Sequence, residues 1–210
     1  MQRSELIDRL KATIAKPGKE LADGTVLIGH VPVVAPQAYL HLVFAPLVGD
    51  ELAELERKLG YPLPAAYADF LCATANGLGL FGGVLELFGH RRNSARTSVA
   101  SAQPFSIVTT NTVERPSGLE EGATIVGFYR EDGSVIVMHQ GTGVVRWKSR
   151  DASSSLLGWE SLDSFLQAET ARLEALLGPE YEGASVHSDV NTLPLVSASK
   201  PEKPKWFWRR

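Results

Sequence analysis

A chain of 210 residues with 44% hydrophobic and 21% charged side chains can bury a core and has the ordinary composition of a globular protein. Its single cysteine excludes an internal disulfide, and no stretch resembles an export signal or a membrane span, so we expect a cytoplasmic protein. The net charge is −3, but residues 200–210 carry +4, which leaves −7 for the first 199 residues. This acidic body disfavours nucleic acid as the main partner and favours a basic protein.

The first 45 residues predict an extension made of one helix and two strands. Apolar spacing near the start predicts an amphipathic helix that Ser4 caps and that Pro17-Gly18 ends. Residues 25–29 and 39–45 have the pattern of strands, and two prolines between them favour a loop. We expect this region to add strands or a covering layer to the domain that follows it.

Residues 52–88 predict two short helices and then a strand. Leu52, Leu55 and Leu59 form an apolar stripe on the first helix, and Gly60 can take the left-handed conformation that ends it. A Leu63-Pro64 step leads into the second helix, because proline suits a first helical turn. The second helix has an inner face of four residues, Tyr67, Phe70, Leu71 and Thr74, and Asn76-Gly77 stops it before a strand at 84–88. We expect its Cys72 to be a buried, unreactive thiol.

The second half of the chain predicts an antiparallel meander closed by a helix. Residues 91–103 are polar and indicate an exposed loop, and 106–110 favour a strand. Three β-rich runs follow at 124–128, 134–138 and 144–147, joined by glycine-containing turns. A helical stripe begins after Ser161 as N-cap and ends at Gly178-Pro179, and the remainder is rich in polar residues, as in a tail.

The order of these features resembles the SUKH superfamily of Smi/Knr-like domains. The resemblance rests on an acidic helix ending in glycine, a Leu-Pro step, an aromatic-rich helix and Asn-Gly before the first core strand, carried here by Leu55, Gly60, Leu63, Pro64, Tyr67, Phe70, Leu71, Asn76 and Gly77. It implies an α+β fold with an antiparallel sheet of about five or six strands and helices packed against it. We expect one SUKH-like domain over residues 1–178, with the family-like core at 52–177 and a tail at 179–210.

The resemblance also implies a function without catalysis. Many bacterial members of this superfamily are immunity proteins that bind and neutralise a toxin, often a nuclease or a deaminase, and this chain is similar to them. A regulatory scaffold, as in the fungal relatives linked to cell-wall synthesis, stays open as an alternative. So does an enzyme whose site is assembled from scattered residues.

Some motifs suggest catalysis or metal binding, but they lack the structural context or the spacing that this chemistry requires. Residues 77–82 match G-x-G-x-x-G, but a helix precedes and a strand follows, the reverse of the dinucleotide-binding order, which favours a flexible connection. Five histidines are scattered without metal-ligand spacing. We therefore predict no catalytic residue, no metal and no cofactor.

The candidate partner-binding residues are two acidic pairs and an aromatic terminus. Glu120-Glu121 and Glu131-Asp132 suit exposed acidic contacts for a basic toxin domain better than acid–base catalysis. The terminus contains three adjacent large aromatics, Trp206, Phe207 and Trp208, flanked by basic residues. They could dock on the protein's own surface, on a partner, on an anionic membrane or on single-stranded nucleic acid. The sequence does not predict the oligomeric state.

Overall fold

The sheet follows the chain strand by strand from one edge to the other. The computed structural model describes residues 1–14, 16–32, 35–92 and 102–177, and within them nine antiparallel strands lie side by side in sequence order. The helices are α1 (Arg3–Ala12), α2 (Glu51–Leu59), α3 (Ala65–Ala73), α4 (Ile107–Thr112) and α5 (Leu162–Leu176). The strands are β1 (Lys19–Glu20), β2 (Val26–His30), β3 (Tyr39–Val43), β4 (Leu78–Leu80), β5 (Leu85–Leu87), β6 (Ala123–Tyr129), β7 (Val135–His139), β8 (Val145–Lys148) and β9 (Ser155–Trp159).

The predicted α+β class is confirmed, but the sheet has more strands than predicted. Five or six strands were expected, and nine are present in the described residues. Three of them, β1 to β3, belong to the N-terminal extension and continue the sheet beyond β4 through the pairing of Leu42 with Gly79 and Val43 with Leu78. The extension therefore adds strands, as we expected.

The alternating direction of the side chains gives the sheet a face towards the core and a second face opposite to it. Register places Val26, Val43, Leu78 and Leu87 in one row across β2 to β5, and all four belong to the main hydrophobic core. The neighbouring row crosses the same strands and β6 on the opposite face, through Leu27, Leu42, Gly79, Glu86 and Phe128. Successive side chains in a strand point to opposite faces. Glu86, which lies between the core residues Leu85 and Leu87, is therefore directed away from the core.

The two predicted helices before β4 form as expected, and α3 is tied to the sheet. Gly60 ends α2 with a φ of 84°, the left-handed conformation predicted for it. Leu55, Leu63, Tyr67, Phe70 and Leu71 are all buried. The Tyr67 hydroxyl lies 2.6 Å from the carbonyl oxygen of Phe88, just after β5, and 2.9 Å from that of Val126 in β6. It therefore joins α3 to both of these segments.

The Asn76-Gly77 step joins two backbone segments rather than only ending a helix. The Asn76 side chain accepts a hydrogen bond from the His90 N–H at 2.6 Å and donates to the His90 carbonyl at 2.9 Å, which copies a strand pairing. Gly77 has a φ of 91°, and a Cβ there would lie 2.7 Å from the Leu87 carbonyl oxygen. Both residues are therefore needed where α3 turns into the sheet.

Removing the Tyr67 hydroxyl is expected to destabilise the fold. Tyr67→Phe should lower the free energy of unfolding by about 1–3 kcal/mol, because buried carbonyl oxygens lose a donor. Tyr61→Phe is the matched control, since within the described residues the buried Tyr61 hydroxyl has no hydrogen-bond partner, and its removal should be neutral or slightly stabilising. Urea unfolding followed by tryptophan fluorescence measures both; equal effects of the two changes would contradict the assignment.

Three local predictions between the two terminal helices were wrong, and one strand was missed. Residues 107–112 form α4 rather than a strand, because Ser106 caps a helix by accepting from the Thr109 N–H and the buried Asn111 amide bonds to the Ile125 backbone. Residues 78–80 form a strand and 81–83 a 3₁₀ turn, not a flexible connection. The edge strand β9 was not predicted. Cys72 is exposed, because it points away from the inner face of α3.

The helix boundaries at the two ends differ in how well they were predicted. α1 is capped by Gln2 in a capping box with Glu5, not by Ser4, and it ends at Ala12, before Pro17. α5 begins after Ser161, which accepts from the Ser164 N–H as predicted. Residues 93–101 of the loop predicted at 91–103, and the whole tail predicted at 179–210, lie outside the described residues.

A buried polar cluster fastens α5 to the sheet. The Tyr129 hydroxyl of β6 donates to the Glu169 carboxylate of α5, and Glu169 is 2% exposed. The Arg172 guanidinium donates to Glu169 at 2.6 Å and lies over the rings of Tyr129 and Trp147 at 5.8 and 5.7 Å. Burial, reinforced by the Glu169 charge, raises the pKa of Tyr129 well above its usual value, so its hydroxyl stays a donor.

A buried histidine joins α1, β3 and the 3₁₀ turn. His41 is fully buried; its Nδ1 accepts from the Phe81 N–H at 3.4 Å, and its Nε2 lies 3.0 Å from the Thr13 hydroxyl oxygen. The Thr13 hydroxyl donates to the Leu10 carbonyl, so Nε2 must carry the hydrogen and donate to Thr13. Burial lowers the pKa of His41 to about 3, which keeps the ring neutral.

Candidate protein-binding cleft

A cleft opens on the second face of the sheet, opposite the main core. Its volume is about 340 Å³, at the lower end of the range for small ligand pockets. Strands β2 and β3 supply one wall, and the segment around Phe105 supplies another. Its lining is mainly apolar, with four polar or charged side chains, Gln37, Glu86, Gln103 and Arg130.

Glu86 is the charged group held most deeply in this cleft. Its side chain is 9% exposed, and Arg130 Nη2 donates to its Oε1 at 3.0 Å. Arg130 itself is 53% exposed and therefore remains solvated. Burial raises the pKa of Glu86 to about 7, and the Arg130 charge and hydrogen bond offset only part of that effect.

Two glycines make room for the Glu86 carboxyl group. A Cβ at Gly79, the strand neighbour of Glu86, would lie 3.0 Å from Oε2. A Cβ at Gly83 would lie 2.7 Å from both Oε1 and Arg130 Nη2. These glycines belong to the stretch that matches G-x-G-x-x-G and to the residue after it, so in this fold the glycines admit a carboxyl group rather than a pyrophosphate.

Aromatic rings lie beside Glu86 in the cleft. Phe128 pairs with Glu86 across β5 and β6, and it contacts the rings of Phe88 and Phe105 at centroid distances of 5.5 and 5.2 Å. Phe105 lines the cleft and is 47% exposed, which is unusual for a ring of that size. A half-exposed aromatic ring and a largely buried charge in one cleft are groups that can contact a partner protein.

Comparison with known families identifies the family to which this fold belongs. The model of the SMI1 / KNR4 family (SUKH-1) matches residues 46–168, more than half of the chain. The chain belongs to the SMI1 / KNR4 family. A comparison with curated proteins finds no match.

The family match covers only part of the cleft. It includes Gly83, Glu86, Phe105 and Arg130, and it begins after β1, β2 and β3. The wall that contains Leu27 and Leu42 thus comes from the extension that precedes the SMI1 / KNR4 match. The cleft in its present form therefore depends on residues that lie outside the family core.

Neutralising Glu86 is expected to stabilise this SMI1 / KNR4 protein above neutral pH. Its pKa rises from 4.5 to about 7 on folding, so the unfolded chain ionises first and stability falls as the pH rises through that interval. Glu86→Gln should raise the free energy of unfolding by about 1–3 kcal/mol at pH 8 and have little effect at pH 4. Urea unfolding at both pH values measures this, with Glu131→Gln as an exposed control. A less stable Glu86→Gln protein at pH 8 would show that the Arg130 pair outweighs the burial.

The first predicted acidic pair divides into one internally bonded residue and one exposed residue. Glu120 accepts from Lys148 Nζ at 2.7 Å, and its other oxygen lies 2.8 Å from His139 Nε2. The Lys148 side chain is 2% exposed, so Glu120 compensates a buried cation as well as facing solvent. The hydrogen bond from Lys148 lowers the pKa of Glu120. Glu121 is exposed.

The second acidic pair lies at the opposite end of β6, and the structure does not bring the two pairs together. Glu131 and Asp132 are exposed in the β6–β7 turn, where Asp132 accepts from the Ser134 N–H at 2.8 Å. β6 has seven residues, which separates the pairs by ~20 Å. Glu131 follows Arg130 directly, so this pair is the one next to the cleft. Trp206, Phe207 and Trp208 lie outside the described residues.

Glu86 and Arg130 were not predicted as site residues, although the sequence contained a signal for Glu86. A glutamate between two leucines in a strand, close to three glycines, indicates a charge that must be accommodated on one face. No pattern in the sequence could have paired it with Arg130, which is 44 residues away. Trp147 is buried and Trp159 packs edge-on against Phe165, so both tryptophans act in packing.

Metal-ligand groups and membrane-spanning helices are two further features of the structure that bear on this site. Among the described residues, no group of three or more histidine, cysteine, aspartate or glutamate side chains is placed to hold a metal ion. None of the helices in those residues is both long enough and apolar enough to cross a membrane.

Proposed function

We propose that this protein is a non-enzymatic binding domain that neutralises a bacterial toxin of the nuclease or deaminase type by direct capture. Membership of the SMI1 / KNR4 family, over residues 46–168, is the observation that carries the proposal. The cleft supports it, because an exposed aromatic beside a buried acid suits protein contacts. In this proposal the protein acts in the cytoplasm, as one domain over residues 1–178.

The proposed mechanism combines electrostatic attraction with a short-range anchor. The first 199 residues sum to a charge of −7, which would speed the encounter with a basic toxin domain. Glu121, Glu131 and Asp132 are exposed and would contribute to this attraction. Desolvated contacts at the cleft would slow release.

The test begins with co-purification of the tagged full-length chain from its native host, followed by mass spectrometry. We expect one stoichiometric, basic partner with nuclease or deaminase activity, and we expect one equivalent of this protein to abolish that activity. A set of cell-wall or signalling proteins would instead favour the regulatory scaffold. A partner whose activity is unchanged by titration, or no partner, would contradict the proposal.

Charge reversal then tests which acidic residues contribute. Glu131→Lys should slow association several-fold at low salt and reduce its salt dependence, because rim charges act mainly on the association rate. Glu121→Lys, at the far end of β6, is the matched variant and should have the smaller effect if the cleft end faces the partner. A larger effect at Glu121 would place the contact at the opposite end of the strand.

A further inference from the structure

The Glu86 carboxyl group has one oxygen that can accept a further donor. Arg130 reaches Oε1, and within the described residues no donor reaches Oε2. The side chain is 9% exposed, so a donor that binds this oxygen displaces little water. The Glu86 carboxyl group fills the space above Gly79, and Glu86 lines the cleft, from which a donor can approach.

The surroundings of this oxygen suit an alkyl chain that carries a cation. Leu27, Leu42 and Phe44 form apolar walls, and Tyr39 and Phe105 add aromatic surface. Lysine and arginine bury their methylene stems along apolar surface and place their charged heads at polar groups. An aromatic ring such as Phe105 adds a favourable face for the cation.

We propose that the cleft receives a lysine or arginine side chain of the bound partner, whose cationic head donates to Glu86 Oε2. The proposal rests on the proposed function to the extent that the occupant belongs to a protein. In the complex, the Glu86 carboxylate would bridge two basic side chains, Arg130 from this chain and one from the partner. The N-terminal extension then acts in specificity, since β2 and β3 form the wall that guides the stem.

A cation is favoured over an anion because the two members of the ion pair differ in solvation. Arg130 is half exposed and keeps its water, so it gains little from an added anion. Glu86 is buried and only partly compensated, so it gains most from an added donor. The charge of −7 on the first 199 residues also repels anions at long range.

The test uses n-butylguanidinium chloride as the probe and the full-length chain observed by NMR. We expect saturable shifts of the Gly79 and Gly83 amides and of the Phe105 ring at millimolar probe, and a fall of about one unit in the pKa of Glu86 at saturation. Neutral n-butylurea, sodium butyrate and sodium chloride are compared at matched ionic strength. Shifts with butyrate alone, or equal shifts with butylurea, would overturn the proposal.

Variants distinguish binding of the probe at the cleft from a general effect of charge. Glu86→Gln keeps the shape of the side chain and should weaken probe binding at least tenfold, whereas Glu174→Gln removes an exposed charge on α5 and should leave it within twofold. Phe105→Ala alters a half-exposed ring and should weaken binding several-fold, which keeps the proposal testable if Glu86→Gln fails to fold. Unchanged binding by the folded Glu86→Gln or Phe105→Ala protein would contradict it.

The results distinguish this proposal from the proposed function. Probe binding at the cleft without any toxin partner would leave the site standing and remove the immunity role. A neutralised toxin whose affinity is unchanged by Glu86→Gln would keep the immunity role and remove this site. Loss of at least a hundredfold in toxin affinity with Glu86→Gln, but not with Glu131→Gln, would support both.

Discussion

Replacing Glu169 with alanine is expected to lower the free energy of unfolding by about 3–5 kcal/mol. The change removes the acceptor of the buried Tyr129 hydroxyl and the partner of Arg172, whose side chain is 19% exposed. Both groups would then lie at the contact between α5 and the sheet without compensation. Urea unfolding at pH 7, followed by circular dichroism, measures the loss.

Glu174→Ala provides the control for this result. Glu174 lies on the same helix and is exposed, so its removal should change the free energy of unfolding by no more than about 0.5 kcal/mol. Similar losses for the two variants would mean that the buried cluster contributes no more than an ordinary surface residue.

His41 is expected to make the protein sensitive to acid. Its pKa falls from 6.5 to about 3 on folding, so below pH 6.5 the unfolded chain binds a proton that the folded chain does not. Stability is therefore complete above pH 6.5 and declines as the pH falls towards 3. This one group should account for about 3 kcal/mol of the loss between pH 7 and pH 4.

The comparison of His41→Gln with the native chain isolates this contribution. The variant should have a flatter dependence of unfolding free energy on pH, although it will be less stable at pH 7 because the ring's packing is lost. His30→Gln, which removes a partly exposed histidine from β2, is the control substitution. Identical slopes for His41→Gln and the native chain would show that the ring does not resist protonation.

Local patterns predicted most of the fold because periodicity and capping act over a few residues. The meander at β6 to β8, α2 with its terminal Gly60, and α5 with its Ser161 cap all follow such rules. α4 did not, because its β-branched residues favour a strand, and a distant contact between Asn111 and Ile125 holds the helix. Cys72 was assigned by residue type although the inner face of α3 already excluded it.

The candidate cleft was less predictable because pairs of distant residues create it. Glu86 meets Arg130 only after β5 and β6 align, and Leu27 and Leu42 join them through three further strand pairings, β4 with β5, β3 with β4 and β2 with β3. The acidic pairs were predicted from exposure, and exposure alone could not reveal that Glu120 already bonds to Lys148. Composition predicted the sign of the charge, whereas only the fold shows which charged side chains are paired with each other.

Strictly sequential strand order has a consequence for synthesis on the ribosome. Each strand pairs with the one that emerged just before it, so most of the sheet can assemble without waiting for distant sequence. The exception is α5, which emerges after all nine strands and brings Phe165, Glu169 and Leu173 to surfaces that the sheet has left uncovered. A nascent chain paused before residue 162 would therefore expose Tyr129 and Trp147, and recruitment of chaperones should peak at that length.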